Sequence, residues 1–205
     1  MKSRKKRRVF FLVVFLLILI IAAGVGGYHI YKKLNTATVN VVDEIDNFDY
    51  KLEDRDTELY KTTFEELKEI LKAEPIDNEK FAASIAKLFV IDLYTINNKV
   101  NKFDVGGLDF VFSSVKSNYS LNVQETLYKY VEDNSNKKRN QALPEVSEIN
   151  VTSIEAATFT VDGKTYNGYN VSLSWKYVTD MKYDTSAKLK LVSDKDSYYV
   201  IELSH

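Results

Sequence analysis

The sequence predicts an α+β protein in which an N-terminal transmembrane helix precedes about three helices packed on a curved antiparallel sheet of four to six strands. Two observations support this prediction. Residues 9–31 contain no charged side chain. Across residues 56–205, the spacing of apolar residues changes from about 3.6, which is typical of helices, to about 2, which is typical of strands. Because the helices come first and the strands follow, the α+β class is favoured over an alternating α/β arrangement.

The first 31 residues have the charge pattern of a membrane anchor. Residues 1–8 include six basic side chains, whereas residues 9–31 include no Asp, Glu, Lys or Arg. A helix rises about 1.5 Å per residue, so about 20 apolar residues cross a hydrocarbon core of about 30 Å. Basic residues before a first span are retained in the cytoplasm. We therefore predict a single-pass plasma-membrane protein with a cytoplasmic tail (1–8), a transmembrane helix (9–31) and an extracellular C-terminal part.

A cleaved secretory signal peptide is the second interpretation of this segment. The small residues between positions 22 and 27 resemble a cleavage region. The uncharged run nevertheless continues to Tyr31 and is followed by Lys32, which are residue types that anchor a helix at the membrane interface. We therefore favour an uncleaved anchor in the lipid bilayer. Ala23 and Gly27 form a small-residue pair that suits self-association of such helices.

Composition excludes several classes of function. The chain has 28 basic and 29 acidic residues. Without the six basic residues of the tail, 22 basic residues remain against 29 acidic ones, so no nucleic-acid partner is predicted for the outer part. There is no cysteine, and the two histidines, His29 and His205, are far apart in the sequence. Thiolate or histidine metal sites, Ser-His-Asp catalysis and cofactors are therefore not predicted.

The helices are predicted in the first half of the outer part. Residues 32–55 are polar and acidic, and they predict a juxtamembrane stalk. The extracytoplasmic domain, residues 56–205, then begins with a helix for which Asp56 is the N-cap candidate. A more apolar helix follows from about residue 77 to residue 100, and we expect it to form the centre of the core. The Gly106-Gly107 pair predicts a turn with positive φ, and a third helix is predicted over residues 123–131.

The strands are predicted after residue 144. Apolar and polar residues alternate in five segments, which indicates a sheet with one buried face and one exposed face. The dipeptide Asp162-Gly163 is a strong hairpin signal between the second and third segments. The five predicted strands are residues 146–151, 156–161, 169–177, 187–192 and 198–203.

This order of elements resembles the nuclear transport factor 2-like (cystatin-related) cone fold. The segments at residues 56–61 (DTELYK), 88–95 (LFVIDLYT) and 104–107 (DVGG) also resemble a family of uncharacterised single-pass proteins of Gram-positive bacteria. An anchor followed by a cone domain is architecturally similar to inner-membrane assembly factors of type IV secretion and conjugation machines. The resemblance implies a non-enzymatic scaffold or protein-interaction module that assembles with other proteins of the cell envelope.

Asp92 is the main candidate for a site residue. It follows the apolar stripe of the predicted central helix, because Phe89 and Leu88 lie three and four residues before it. A buried carboxylate there could serve a cone pocket lined also by Tyr94, Trp175 and Tyr177, in a protein that binds a small ligand or wall glycan or, as the less favoured alternative, in an enzyme that uses Asp92 as a general base. We favour a structural role, in which Asp92 accepts hydrogen bonds from the amides of the 106–107 turn or pairs with a lysine.

Overall fold

The computed structural model describes residues 39–48 and 50–205. The helices are α1 (Glu58–Leu71), α2 (Asn78–Tyr94) and α3 (Lys116–Glu125). The strands are β1 (Val41–Ile45), β2 (Tyr50–Glu53), β3 (Val146–Val161), β4 (Lys164–Tyr177), β5 (Ser186–Asp194) and β6 (Ser197–Ser204). Three helices, a four-stranded antiparallel sheet and a two-stranded sheet confirm the α+β class.

None of the helices in the described residues is long and apolar enough to cross a bilayer. The predicted tail (1–8) and anchor (9–31) lie outside the described residues.

The four-stranded sheet is a meander in the order β3-β4-β5-β6. The predicted hairpin at Asp162-Gly163 is confirmed: φ is 51° at Asp162 and 77° at Gly163, the two positive values that a type I′ turn requires. The first two predicted strands are in fact one continuous strand, β3. A β-bulge between Val151 and Ser153 bends this strand without ending it.

Helix α2 is the centre of the core, as the sequence predicted. It is buried on nearly every side, from Phe81 to Tyr94, between α1 and the inner face of the sheet. Each fully buried large apolar side chain stabilises such a core by about 1.5–3 kcal/mol. The helix ends at Tyr94 and not near residue 100, because Thr95 leaves the helical conformation and the Ile96 amide donates to the Pro144 carbonyl at 2.9 Å.

The predicted stalk (32–55) is corrected where the structure describes it, and its residues 32–38 lie outside the described residues. Strands β1 and β2 pair with each other, and Ile45, Tyr50 and Leu52 are buried in the main core. The compact unit accordingly spans Val39–His205. The N-cap of α1 is also one residue later than predicted, since the Thr57 side chain accepts the Tyr60 amide at 3.3 Å.

Helix α3 begins seven residues before the predicted third helix. Within it, only Val123 is buried. The helix ends near Thr126, whose hydroxyl donates to the Asn122 carbonyl at 2.7 Å. Leu127 and Val131, which suggested a later helix, instead lie in turns and pack partly against the core.

Candidate functional site

Asp92 lies in a buried polar cluster and not in an open pocket. Its carboxylate forms an ion pair with the Lys99 ammonium and accepts the Gly107 amide at 2.5 Å. The Lys99 side chain is 2% exposed and the Asp92 side chain is 22% exposed. Both contacts of the structural interpretation, a turn amide and a lysine, are therefore present. A buried ammonium without such a partner would be strongly unfavourable, so Asp92 neutralises Lys99.

The Gly106-Gly107 turn lies directly against the end of α2. A Cβ atom at Gly106 would overlap the backbone carbonyl of Asp92, which explains why only glycine fits there. Gly107 has a φ of 77°, as predicted for this turn. The close approach places the Gly107 amide where the Asp92 carboxylate can accept it.

A second ion pair fixes the other side of the same loop. The Arg55 guanidinium contacts both oxygens of Asp104, with Nη2 to Oδ1 at 3.0 Å, and Asp104 also accepts the Val100 amide at 2.7 Å. Burial alone would raise the pKa of Asp104, but the Arg55 contacts hold it below its usual value. Nearby, burial raises the pKa of Asp56 to about 6. Asp92 and Asp104 are thus occupied by structural contacts.

A largely apolar cavity lies elsewhere, between strand β6 and helix α3, and we name it the β6–α3 groove. Its volume is about 710 Å³. Most of its lining is apolar, and a few polar side chains lie among the apolar ones. The lining residues are Phe89, Leu93, Tyr94, Val111, Val115, Asn118, Tyr119, Asn122, Val123, Thr126, Leu127, Asp184, Val200, Ile201, Glu202, Leu203 and His205. Asp92 is not among them.

Each wall of the groove comes from a different element. The end of α2 provides the floor, β6 provides one wall and α3 provides the other. Asn118, Asn122 and Thr126 recur every four residues, so they follow one face of α3 and its end. Because α3 buries only Val123, much of this face remains open to the groove.

The β6 wall is an open sheet edge. β6 is the last strand in the sheet, and within residues 39–48 and 50–205 its outer side pairs with the chain only at Val200. There, Val111 forms a parallel bridge, and the Phe112 amide donates to the Val200 carbonyl at 3.0 Å. The chain then turns away into α3. Among the described residues, no segment pairs with the outer edge of β6 at residues 201–204.

Tyr94, His205 and Asp184 form the polar end of the groove. His205 Nδ1–H donates to the Ser186 carbonyl at 2.9 Å, and the Tyr94 hydroxyl lies 3.2 Å from His205 Nε2. An Asp184 carboxylate oxygen lies 3.6 Å from the same nitrogen. Burial, together with the Asp184 charge, raises the pKa of Tyr94. The Tyr94 hydroxyl therefore stays protonated and remains a hydrogen-bond donor.

The structure brings three of the four predicted pocket residues together. Tyr94 lines the groove, and its ring lies 4.7 Å from that of Trp175, which is buried at 3% exposure. The Tyr177 hydroxyl donates to the Asp184 backbone carbonyl at 2.7 Å and so helps to position that residue. Asp92 is separated from this group. His205, Asp184 and the α3 wall were not predicted from the sequence.

The described residues contain no group of three or more His, Cys, Asp or Glu side chains able to hold a metal ion. Comparison with protein-family models, curated proteins and solved structures finds no match. The groove and the sequence are therefore the basis on which a function can be inferred.

Proposed function

We propose that this protein is a membrane-anchored, extracytoplasmic interaction module of the bacterial cell envelope. In this proposal, residues 9–31 span the plasma membrane and the domain outside binds another envelope protein without catalysing a reaction. The observation that carries the proposal is the β6–α3 groove. It combines an apolar lining with an open strand edge, two features that protein partners use for side-chain burial and backbone pairing.

The chemistry of the groove favours binding over catalysis. Nucleophilic catalysis requires an activated hydroxyl, thiol or amine beside a base. As far as the structure describes it, the lining includes no serine, cysteine or lysine, and the Thr126 hydroxyl is engaged by the Asn122 carbonyl. The imidazole of His205 is held by the Ser186 carbonyl and the Tyr94 hydroxyl. These groups can orient a ligand, but they do not form a set for proton transfer to one.

A second candidate is the binding of a small ligand or a wall glycan. A cavity of about 710 Å³ has the size of many small-molecule sites. Tyr94 and Tyr119 both line it, and tyrosine rings can stack on sugars. This candidate uses the groove at Tyr94 and not the surroundings of Asp92.

The membrane topology can be tested by cysteine labelling, because the chain has no native cysteine. We expect Asn136→Cys, on an exposed loop, to react in intact cells with a membrane-impermeant maleimide. Ser3→Cys should react only after the cells are lysed. Labelling of both positions in intact cells, or of Ser3→Cys alone, would contradict the proposed topology. Loss of the N-terminal segment from the mature chain would support a cleaved signal peptide instead.

The groove can be tested by photo-crosslinking in the full-length membrane protein. Asn122 faces the groove, whereas Leu121, the preceding residue on the same helix, is exposed and does not line it. We expect a photoreactive phenylalanine derivative at position 122, but not at 121, to give a discrete protein adduct. Absence of an adduct, or equal adducts from both positions, would contradict the proposal. An adduct that disappears when wall glycans are digested would support the second candidate.

A further inference from the structure

We infer that the partner of the β6–α3 groove is an extended polypeptide segment, with basic and apolar residues in alternation, that adds to the sheet as a fifth strand beside β6. This inference rests on the proposed interaction function and specifies the class of partner. It is supported by the pairing at Val200, the length of the open edge, the apolar lining and the charges at the groove.

The chain itself shows how the edge of β6 accepts a strand. Val111 and Phe112 approach β6 in a parallel direction, and the Phe112 amide donates to the Val200 carbonyl at 3.0 Å. If the chain had continued straight, it would have covered residues 201–204. These four residues extend for about 13 Å at about 3.3 Å per residue, which is enough for a short added strand. An incoming segment would occupy the place that the chain leaves when it turns into α3.

The groove offers an added strand a pocket for its side chains. Alternate residues of a strand point in opposite directions, so every second side chain of the ligand would face the groove. The partly buried side chains of Val115, Leu127 and Leu203 form an apolar surface there. Valine-sized or larger apolar residues at alternate positions would therefore be buried between β6 and α3.

The charges at the groove favour basic residues at the remaining positions. Apart from the titratable His205, the charged lining residues are the carboxylates Asp184 and Glu202, and the described lining includes neither lysine nor arginine. Glu202 pairs with Lys190 of β5 at 2.8 Å on the exposed face of the sheet, where the side chains of an added strand that point away from the groove would lie. Asp184 lies beside His205 at the polar end of the groove. The part of the chain after the basic tail is also acidic overall. Lysine or arginine in the partner would thus be attracted during encounter and after binding.

The opposite edge of the sheet, β3, is a poorer site for the same partner. β3 is longer and carries β-bulges between Val146 and Glu148 and between Val151 and Ser153, and β6 also carries one, between Val200 and Glu202. The two edges therefore differ in the burial they offer and not in the regularity of their pairing. Residues 150–160 alternate between exposed and partly exposed side chains. A strand added to β3 would therefore bury fewer of its own side chains than one added to β6. The β3 edge serves as the internal control in the hydrogen-exchange experiment below.

We would test the inference with the full-length protein in detergent and with three fluorescently labelled hexapeptides. The first peptide alternates lysine and valine, the second alternates glutamate and valine, and the third is the lysine peptide with N-methyl groups on alternate amides. We expect fluorescence anisotropy to show binding of the first peptide. Removing two or more backbone donors should weaken binding of the third by about tenfold. Hydrogen exchange should slow at residues 201–204 and not along β3.

Matched variants test the charge preference. Asp184→Asn with Glu202→Gln should reduce the preference for the lysine peptide over the glutamate peptide by about fivefold. Glu148→Gln should leave it unchanged, because Glu148 forms an equivalent cross-strand pair with Lys176 at 2.8 Å on the other edge of the sheet. The fluorescence of buried Trp175 verifies that each variant is folded.

The outcomes separate this inference from the proposed function. If position 122 gives an adduct but the lysine peptide does not bind, or binds equally well when N-methylated, strand addition is wrong and the interaction function stands. If position 122 also gives no adduct, both proposals fail. Protection along β3 instead of residues 201–204 would likewise overturn the assignment to β6.

Discussion

Replacing Asp92 by asparagine tests the role of the buried polar cluster. Asp92→Asn keeps the shape of the side chain and removes its charge, so the Gly107 amide retains an acceptor while the Lys99 ammonium loses its closest partner. Removing one partner of a buried ion pair typically costs about 3–5 kcal/mol. Because the Asp92 side chain is 22% exposed, water can reach part of the site. We therefore expect a loss of about 3 kcal/mol in the free energy of unfolding, at the lower end of that range.

The single tryptophan of the chain provides the assay for this prediction. Trp175 is 3% exposed in the core, so its fluorescence should change on unfolding. In urea, where a small domain loses about 1–3 kcal/mol of stability per molar, a loss of about 3 kcal/mol lowers the unfolding midpoint by about 1–3 M. Lys99→Met combined with Asp92→Asn should recover most of the loss, because the double variant leaves no unpaired buried charge. An unchanged midpoint in the single variant, accompanied by altered ligand binding, would refute the structural role.

Two further predictions concern stability. Burial raises the pKa of Asp56 to about 6, above the value of about 4 expected in the unfolded chain. The folded state therefore binds this proton more readily, and the contribution of Asp56 to stability becomes more favourable as the pH falls from 7 to 4. We expect Asp56→Asn to remove about 2–3 kcal/mol of the change in the free energy of unfolding between pH 7 and pH 4, as measured by urea titration at several pH values. The same change with pH in the wild-type protein and the variant would contradict this prediction. Gly106→Ala should lower the thermal midpoint far more than Gly163→Ala, because a Cβ atom at Gly106 would overlap the Asp92 carbonyl. A Cβ atom at Gly163 would meet no neighbouring atom, so that substitution costs only the strain of a positive φ, 77°, at an alanine. Equal shifts would show that the 106–107 turn can move away from α2.

The elements that were predicted well are those in which the pattern of apolar side chains along the sequence matches the face that is buried. Helix α2 is apolar on nearly every side, and the alternation of apolar and polar residues in β4 and β5 indicates which face of the sheet is buried. The β1–β2 hairpin was missed because its three core residues lie among acidic neighbours, and a polar average conceals them. Helix α3 was misplaced because it has almost no apolar stripe. It is attached through a few side chains such as Val123 and Tyr119, which do not make a periodic stripe.

The site was predictable only where regular elements determine it. Tyr94 lies at the end of α2, and Trp175 and Tyr177 share the inner face of β4, so the sequence could group these three. Asp184 lies in a loop, and His205 is 111 positions from Tyr94. No local pattern reports such a contact, because it depends on the register of β5 and β6 against the rest of the sheet.

The 104–107 turn connects the buried polar cluster to the groove. On one side, Asp104 is held by Arg55, and the Gly107 amide is held by Asp92. On the other side, the Gly106 carbonyl accepts the hydroxyl of Tyr119, a residue of the groove wall, at 2.8 Å. Since α3 buries little of its own surface, these contacts are a large part of what fixes its position. The ion pairs of Asp92 and Asp104 thus support the turn that holds Tyr119, although neither carboxylate lines the groove. If the proposed interaction function holds, we expect loss of the Asp92 charge to affect binding only indirectly, through the position of α3.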